Sequence, residues 1–490
     1  MEVDSDSDSR FAEGTAKFLS WFQALPGTTF HKDIAIEDLR GRNAGRGIIA
    51  KADIEADTIL FTIPRDSIIC AATTPLKHMI PDVFDLDKDD GIDEEGLSSP
   101  HDSWTLLILV MMYEYLQGDA STWKPYLDVL PATFDTPMFW SQGELSELQA
   151  SAVVAKVGKE EADEMIKSKI LPVIKAHQHI FFPSGRALDD SQLLQLAHRM
   201  GSAIMAYAFD LEKDENDEAD EDDEWVEDRE GKTMLGMVPM ADMLNADAEF
   251  NAHINHGEGA LTATALRAIK AGEEILNYYG PLPNGELLRR YGYVTPKHSR
   301  YDVVELPWEL VEKEMQGRVG VHLSPLDWEK AKQIARSELE EDFEEGFVLE
   351  RSSEDPDSTG QLKSDATFEG LPDELGEQFK TFLKAIKKAG KIEVRALSDK
   401  DARKELYLQT VLGAMQAREH QYPTSLEEDE ELMNADNLTT RQKMAVWVRR
   451  GEKQVLREAQ SWVRGELKEL QRRTSEFCGD GAPAAKRRRV

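Results

Sequence analysis

Two kinds of hydrophobic spacing alternate along the chain, and the changes of period divide it. From Thr15 to Leu25 (TAKFLSWFQAL) apolar residues recur at helical intervals and stop at Pro26-Gly27, which predicts an amphipathic helix after a disordered acidic start, residues 1–14. Gly41 to Cys70 reads as two β-rich runs around the polar turn Ile54–Asp57, with Gly45 and Gly47 just ahead of the first run. From 72 to about 232 the spacing is helical. Ser103–Leu116 (SWTLLILVMMYEYL) predicts a buried helix, and amphipathic segments follow around 143–180 and 188–210. Strand spacing returns in LTATALRAI (261–269) and in EILNYYG (274–280). NGELLRRYGYV (284–294) then predicts a short helix capped near Asn284 and ended by Gly292. Beyond Pro296, helices are predicted at Ser324–Phe343, Gln378–Lys391, Lys404–Gln416 and Asn437–Glu469. Glu344–Gly370 reads as an acidic, Ser- and Asp-rich linker, and no internal repeat is evident.

Composition narrows the partners. A chain of 490 residues has room for two or three domains. Its formal charge of −35 argues against direct nucleic-acid binding. That charge either keeps the protein in solution or draws it to basic partners. The run Leu211–Glu230 (LEKDENDEADEDDEWVEDRE) is too charged to pack and predicts a disordered loop, either simply solvated or attracting a basic substrate. Cys70 and Cys478 are the only cysteines, too few for a disulfide framework or a cysteine-rich zinc cluster. Met1–Arg10 is not a signal peptide, and the longest apolar run, Leu106–Tyr113, is too short to span a bilayer, so no membrane partner is expected. The chain ends in PAAKRRRV. The cluster Lys486, Arg487, Arg488 and Arg489 reads as a nuclear-import patch, implying an import receptor and a nuclear location, with the cytoplasm as a second compartment; the plainer reading is an ordinary basic tail.

Candidate chemistry gathers in Pro239–Val294. This stretch puts Asn245 at one strand end, Tyr278 and Tyr279 at another, and Tyr291 on the short helix. Polar groups at strand ends can converge on a cleft while the strands hold them rigid. Singly, such tyrosines are most often packed residues whose hydroxyls find a partner. The glycine pair at 45 and 47 would let backbone approach a ligand closely.

Three fragments in order carry a family resemblance: DMLNA (Asp242–Ala246), YYG (Tyr278–Gly280) and NGELLRRYGY (Asn284–Tyr293). They are similar to the SET domain, in the branch of the Rubisco large-subunit methyltransferase. There DMLNH precedes a strand pair ending in YG, followed by N-x-x-L-L-x-x-YGF. The resemblance covers roughly residues 15–470 and implies an α+β fold. A β-rich, pseudoknotted SET domain (15–300) with a helical insertion at about 72–232 would precede an all-α substrate-binding lobe (301–472) and a basic tail (473–490). Ala417–Glu428 and Arg441–Leu456 resemble that lobe.

The implied activity is protein-lysine N-methylation from S-adenosylmethionine, without a metal. By the resemblance, Ala44, Gly45, Arg46 and Gly47 line the cofactor pocket. Asn245 holds the methionine end through its side-chain amide, the backbone of Ala246 meets adenine, and Tyr207 touches the cofactor where several relatives carry an arginine. Tyr279 is the catalytic tyrosine, and Tyr291 forms the second wall and contacts cofactor. Trp104, Ala208 and Asp210 contact substrate. Ala246 stands where the family's motif has histidine, a departure that removes a ring able to hydrogen-bond within the fold. Within the branch the chain resembles the fungal ribosomal-lysine methyltransferases, which also read LNAD. That implies a large-subunit (60S) ribosomal protein as substrate, a basic protein that suits the acidic charge. Two other readings are a methyltransferase for another nuclear protein's lysine or histidine, and a cofactor-binding module without catalysis.

Overall fold

A computed structural model describes residues 5–42, 44–84, 103–183, 185–211, 234–319, 323–390, 395–435 and 437–479. The acidic run 212–230 and the basic cluster 486–489 lie outside the described residues. Two four-stranded sheets form the centre. One runs Thr29–Phe30, Ile59–Pro64, Ala260–Ala265, Ala252–His256, with antiparallel pairing throughout. The alternation read in LTATALRAI holds here: Leu261, Ala263 and Ala265 face the core, and the residues between them turn outward. The second sheet runs Ile34–Asp38, Arg46–Ala50, Glu274–Asn277, Asn245–Ala246. Its last pair is parallel, with Leu276 opposite Asn245 and Asn277 opposite Ala246. That register lays the segment before the tyrosines beside the DMLNA motif.

The insertion packs on this centre as helices. Ser103–Gln117 is buried from Thr105 to Glu114 because it has hardly any polar face. It lies against Asp190–Tyr207, which starts at a capping box formed by Asp189 and Gln192. That helix stops at Tyr207, not at residue 210. Ala208–Asp210 is a strand, pairing Leu235–Met237, which in turn pairs Ile69–Cys70. The apolar face of the helix ends where the chain must rejoin the sheet.

Three further expectations are corrected. The start is ordered from Ser5, in a helix Ser5–Ala24, rather than disordered to residue 14. Phe11 explains the difference: the Arg40 and Arg46 guanidinium groups lie 4.1 and 3.9 Å from its ring centroid, and Asp8 pairs with Arg40 at 2.7 Å. Asn284 is not the cap of helix Asn284–Tyr291, because Pro283 occupies that position. Asn284 is fully buried, its amide donating to Asp302 Oδ1 and its carbonyl accepting from Thr295 N. Gly292 does end the helix, at φ +78°. Finally, Glu344–Gly370 is no loose linker. Gly346–Leu349 pairs Val304–Pro307, Ser352 bridges Thr367, and the turn at Gly360 accepts a hydrogen bond from Phe250 N.

The C-terminal lobe is helical around that two-stranded sheet. Its core is Trp308, Trp328, Phe379 and Phe382, with Val455 and Val463 from the long helix Thr440–Gly479. Buried polar contacts fasten it to the insertion: Ser151 to Glu452, Arg418 to the carbonyl of Ala150, and Arg449 to Glu147. No helix among the described residues is long and apolar enough to cross a membrane.

Candidate active site

Tyr279 leaves the strand Glu274–Asn277 just ahead of Gly280, whose φ of +102° turns the chain away. Neighbouring side chains on a strand point to opposite faces. Tyr278 accordingly stacks on Phe250 (4.7 Å, 15°), whereas Tyr279 stacks on Tyr291 (4.7 Å, 16°). The Tyr279 hydroxyl donates to the Leu244 carbonyl at 3.2 Å. Tyr293 lies 6.1 Å from Tyr291, and its hydroxyl reaches the Ala246 carbonyl at 3.5 Å. Tyr207, at the end of its helix, is near enough to Tyr279 and Tyr293 for each to disfavour ionisation of the others. Burial pushes the Tyr279 and Tyr207 hydroxyls far above their ordinary range and Tyr291 up to about 12. All are neutral phenols at physiological pH.

The glycine turn sits on the opposite side of Asn245. A Cβ on Gly47 would lie 2.4 Å from Leu39, 2.8 Å from the Asn245 amide nitrogen and 2.9 Å from Glu274. A side chain at 47 would have to displace all three side-chain ends, two of them hydrogen-bonded to each other, and what presses on this glycine is protein. Gly45 has open space where its Cβ would be. The Asn245 amide nitrogen donates to the Arg46 carbonyl (3.1 Å) and to Glu274 Oε1 (2.8 Å). Its amide N–H groups therefore tie the turn to the strand, and only its carbonyl oxygen is left to meet a ligand. The Arg46 guanidinium points away, donating to Thr15 Oγ1 and the Val129 carbonyl. It holds the first helix; its backbone stays at the turn, beside Ala44, which donates to the Leu39 carbonyl.

Asp242 belongs to this cluster although the sequence reading assigned it no role. Met240 before it adopts φ +82°, a backbone costly outside glycine. The Tyr126 hydroxyl donates to Asp242 Oδ2 at 2.7 Å. Burial raises its pKa to about 7, partly offset by Tyr126, the backbone N–H groups of Asp242 and Met240, and the Arg46 charge. The one available signal was an aspartate set among apolar residues in VPMADML.

The substrate candidates lie elsewhere. Trp104 lines a cavity of about 210 Å³ with Ile108, Met165, Met205, Arg289 and Arg290; Tyr279 and Tyr291 do not line it. Ala208 and Asp210 sit opposite Met237 and Leu235 on the short strand beyond Tyr207. So the structure brings Asn245, Ala246, Tyr279 and Tyr291 into one cluster, with Tyr207 close to Tyr279 and the glycine turn against Asn245. Trp104 faces a neighbouring cavity. Among the described residues no group of His, Cys, Asp or Glu is arranged to hold a metal ion.

Comparison with known proteins agrees with this architecture. The SET domain family matches residues 45–280, and the Rubisco LSMT substrate-binding family matches residues 348–456. Ribosomal lysine N-methyltransferase 4 of Saccharomyces cerevisiae is 32% identical, over 72% of this chain and 69% of its own length. N-lysine methyltransferase setd6 of Danio rerio is 28% identical, over 90% of this chain and 94% of its own. A structure of Rubisco LSMT bound to sinefungin and monomethyllysine superposes with a TM-score of 0.60 at 21% identity, covering 96% of this chain and 97% of that one. The chain belongs to the SET-domain protein-lysine N-methyltransferases that carry a Rubisco-LSMT-type substrate-binding lobe and use S-adenosylmethionine as methyl donor.

Proposed function

We propose that this methyltransferase acts on a lysine of a basic large-subunit ribosomal protein, in the nucleus. Three observations support the reading. The yeast relative is a ribosomal lysine methyltransferase by name. The chain carries a formal charge of −35, suited to a strongly basic partner. Its C-terminal Lys486–Arg489 has the composition of an import patch that a nuclear import receptor would bind.

The stack of Tyr279 on Tyr291 carries the mechanism. Bound S-adenosylmethionine supplies a methyl group on a positively charged sulfur. The stacked pair presents one apolar aromatic wall along which the aliphatic stem of a lysine can lie, and the low polarity beside it lowers the lysine pKa, so that a neutral amine is populated. Tyr279 commits its proton to the Leu244 carbonyl, so its oxygen acts as acceptor and orients the amine N–H. With the cofactor held by Asn245 and the glycine turn, the amine that Tyr279 orients would take the methyl group, its N–CH₃ bond forming as the S–CH₃ bond breaks, and its extra proton would leave to water. Alignment is the main source of rate. The residues fit the cofactor by their chemistry: the uncrowded side of Gly45 in the turn Ala44–Gly47, the Asn245 carbonyl oxygen, the Ala246 backbone, and neutral tyrosines at 207 and 291. Trp104, Ala208 and Asp210 extend the substrate path.

The experiment is incubation with labelled S-adenosylmethionine and ribosomes from a strain lacking this gene, followed by mass spectrometry. Label on one lysine of one large-subunit protein is expected. Labelling of a non-ribosomal nuclear protein instead would overturn the substrate and keep the reaction. Deleting Lys486–Arg489 should move the protein towards the cytoplasm, and unchanged nuclear accumulation would overturn the import reading.

A further inference from the structure

Two positions of the chain depart from the family's motif: Ala246 stands in place of the histidine of DMLNH, and Tyr293 in place of the phenylalanine of YGF. In sequence they are far apart. In the structure they meet, the Tyr293 hydroxyl facing the Ala246 carbonyl at 3.5 Å. The residue that lost a ring able to hydrogen-bond is the one that the extra hydroxyl reaches.

The surroundings make this contact more than incidental. Burial holds the Tyr293 hydroxyl far above its ordinary pKa, so it is a neutral donor at all working pH values. The ring is half-buried, and the partner its hydroxyl finds among the described residues is the Ala246 carbonyl. Two residues on, Thr295 Oγ1 donates to Asp247 Oδ1 at 3.0 Å, and Asp247 N donates to the Asn277 carbonyl at 3.3 Å. The segment 293–295 thus closes over 246–247. Asn245, next in the chain, ties that loop to the glycine turn through the Arg46 carbonyl. A displacement of the Ala246 backbone would therefore carry to both sides of the proposed cofactor site.

We propose that Tyr293 is a positioning residue for cofactor binding, its hydroxyl fixing the 245–247 backbone in place of the family's histidine ring. This rests on the cofactor site proposed above. A phenylalanine at 293 fills the same space without the donor, so Tyr293→Phe is expected to fold normally, and its melting temperature checks that.

The test is the Kd of S-adenosylhomocysteine by calorimetry for the wild-type chain, Y293F, and the double variant A246H/Y293F. Y293F should weaken binding by about three- to tenfold, the range for one lost hydrogen bond. The double variant restores the family's pair and should recover most of that loss, a non-additive result that general damage would not give. Binding by Y293F equal to wild type, or a double variant weaker still, would overturn the proposal while leaving the cofactor site standing. A wild-type chain that does not bind S-adenosylhomocysteine would overturn the site and this inference together.

Discussion

Tyr279 and Tyr291 lie face to face, ring centroids 4.7 Å apart and planes 16° from parallel, although one follows a strand and the other ends a helix. The left-handed turn at Gly292 and the close approach of that glycine to the Asp135–Thr136 backbone fix where the second ring sits. A ring stack of this kind depends on both elements keeping their register.

Removing only the hydroxyl tests its role. Tyr279→Phe keeps the stack and loses the bond to the Leu244 carbonyl. Methyl transfer should slow by on the order of a hundredfold through lost alignment of the amine. The Kd for S-adenosylhomocysteine should change little. Unchanged kcat would sink the assignment of Tyr279.

The two glycines of the turn should respond differently. Gly47→Ala forces a Cβ onto Leu39, Asn245 and Glu274 and should lower the melting temperature by several degrees and weaken cofactor binding. Gly45→Ala meets open space and should leave the melting temperature unchanged. Equal loss of stability in both would contradict the packing described for Gly47.

Asp242 makes stability depend on pH with a definite sign. Its folded pKa of about 7 lies above the unfolded value, so its contribution is fully present below about pH 4 and is lost as pH rises towards 7. Asn can still accept from Tyr126 and cannot ionise. Asp242→Asn should therefore gain on the wild type as pH rises from 4 to 7, by roughly 4 kcal/mol at most, read from denaturant midpoints. A pH-independent difference would show that the carboxyl is not held neutral.

Asp429 is wholly buried and accepts from Arg449, Lys453 and Thr424, with both cations themselves buried. Asp429→Ala strands the buried Lys453 charge, leaves Arg449 with Glu147 alone, and should cost about 3–5 kcal/mol of stability. Because Arg449 also reaches Glu147, limited proteolysis should then cut more readily at the junction between insertion and lobe. A loss under 1 kcal/mol would mean that water already reaches the cluster.

Much of this was legible in the chain because local rules governed it. The alternation of 261–265, the stop at Gly292 and the apolar helix from Ser103 each follow from side-chain period or glycine conformation alone. The misses share a cause. Order at Ser5–Glu13 depends on arginines thirty residues later, and order in 346–367 depends on Phe250 and Val304–Pro307, partners no window of sequence contains. Asn284 looked like a cap because its local pattern fits one; a buried aspartate, Asp302, claims it instead.

For the site the division is similar. The sequence determined the element types and the branch of the family, since motif order and turn chemistry are properties of the chain. Tertiary structure alone decided that Asn245 spends its amide on the Arg46 carbonyl and Glu274. It also decided that Asp242 is buried against Tyr126, and that Tyr293 reaches the residue where the histidine is missing. Hydrogen-bond partners and burial are set by which distant segments fold onto one another, and a one-dimensional pattern does not carry that information.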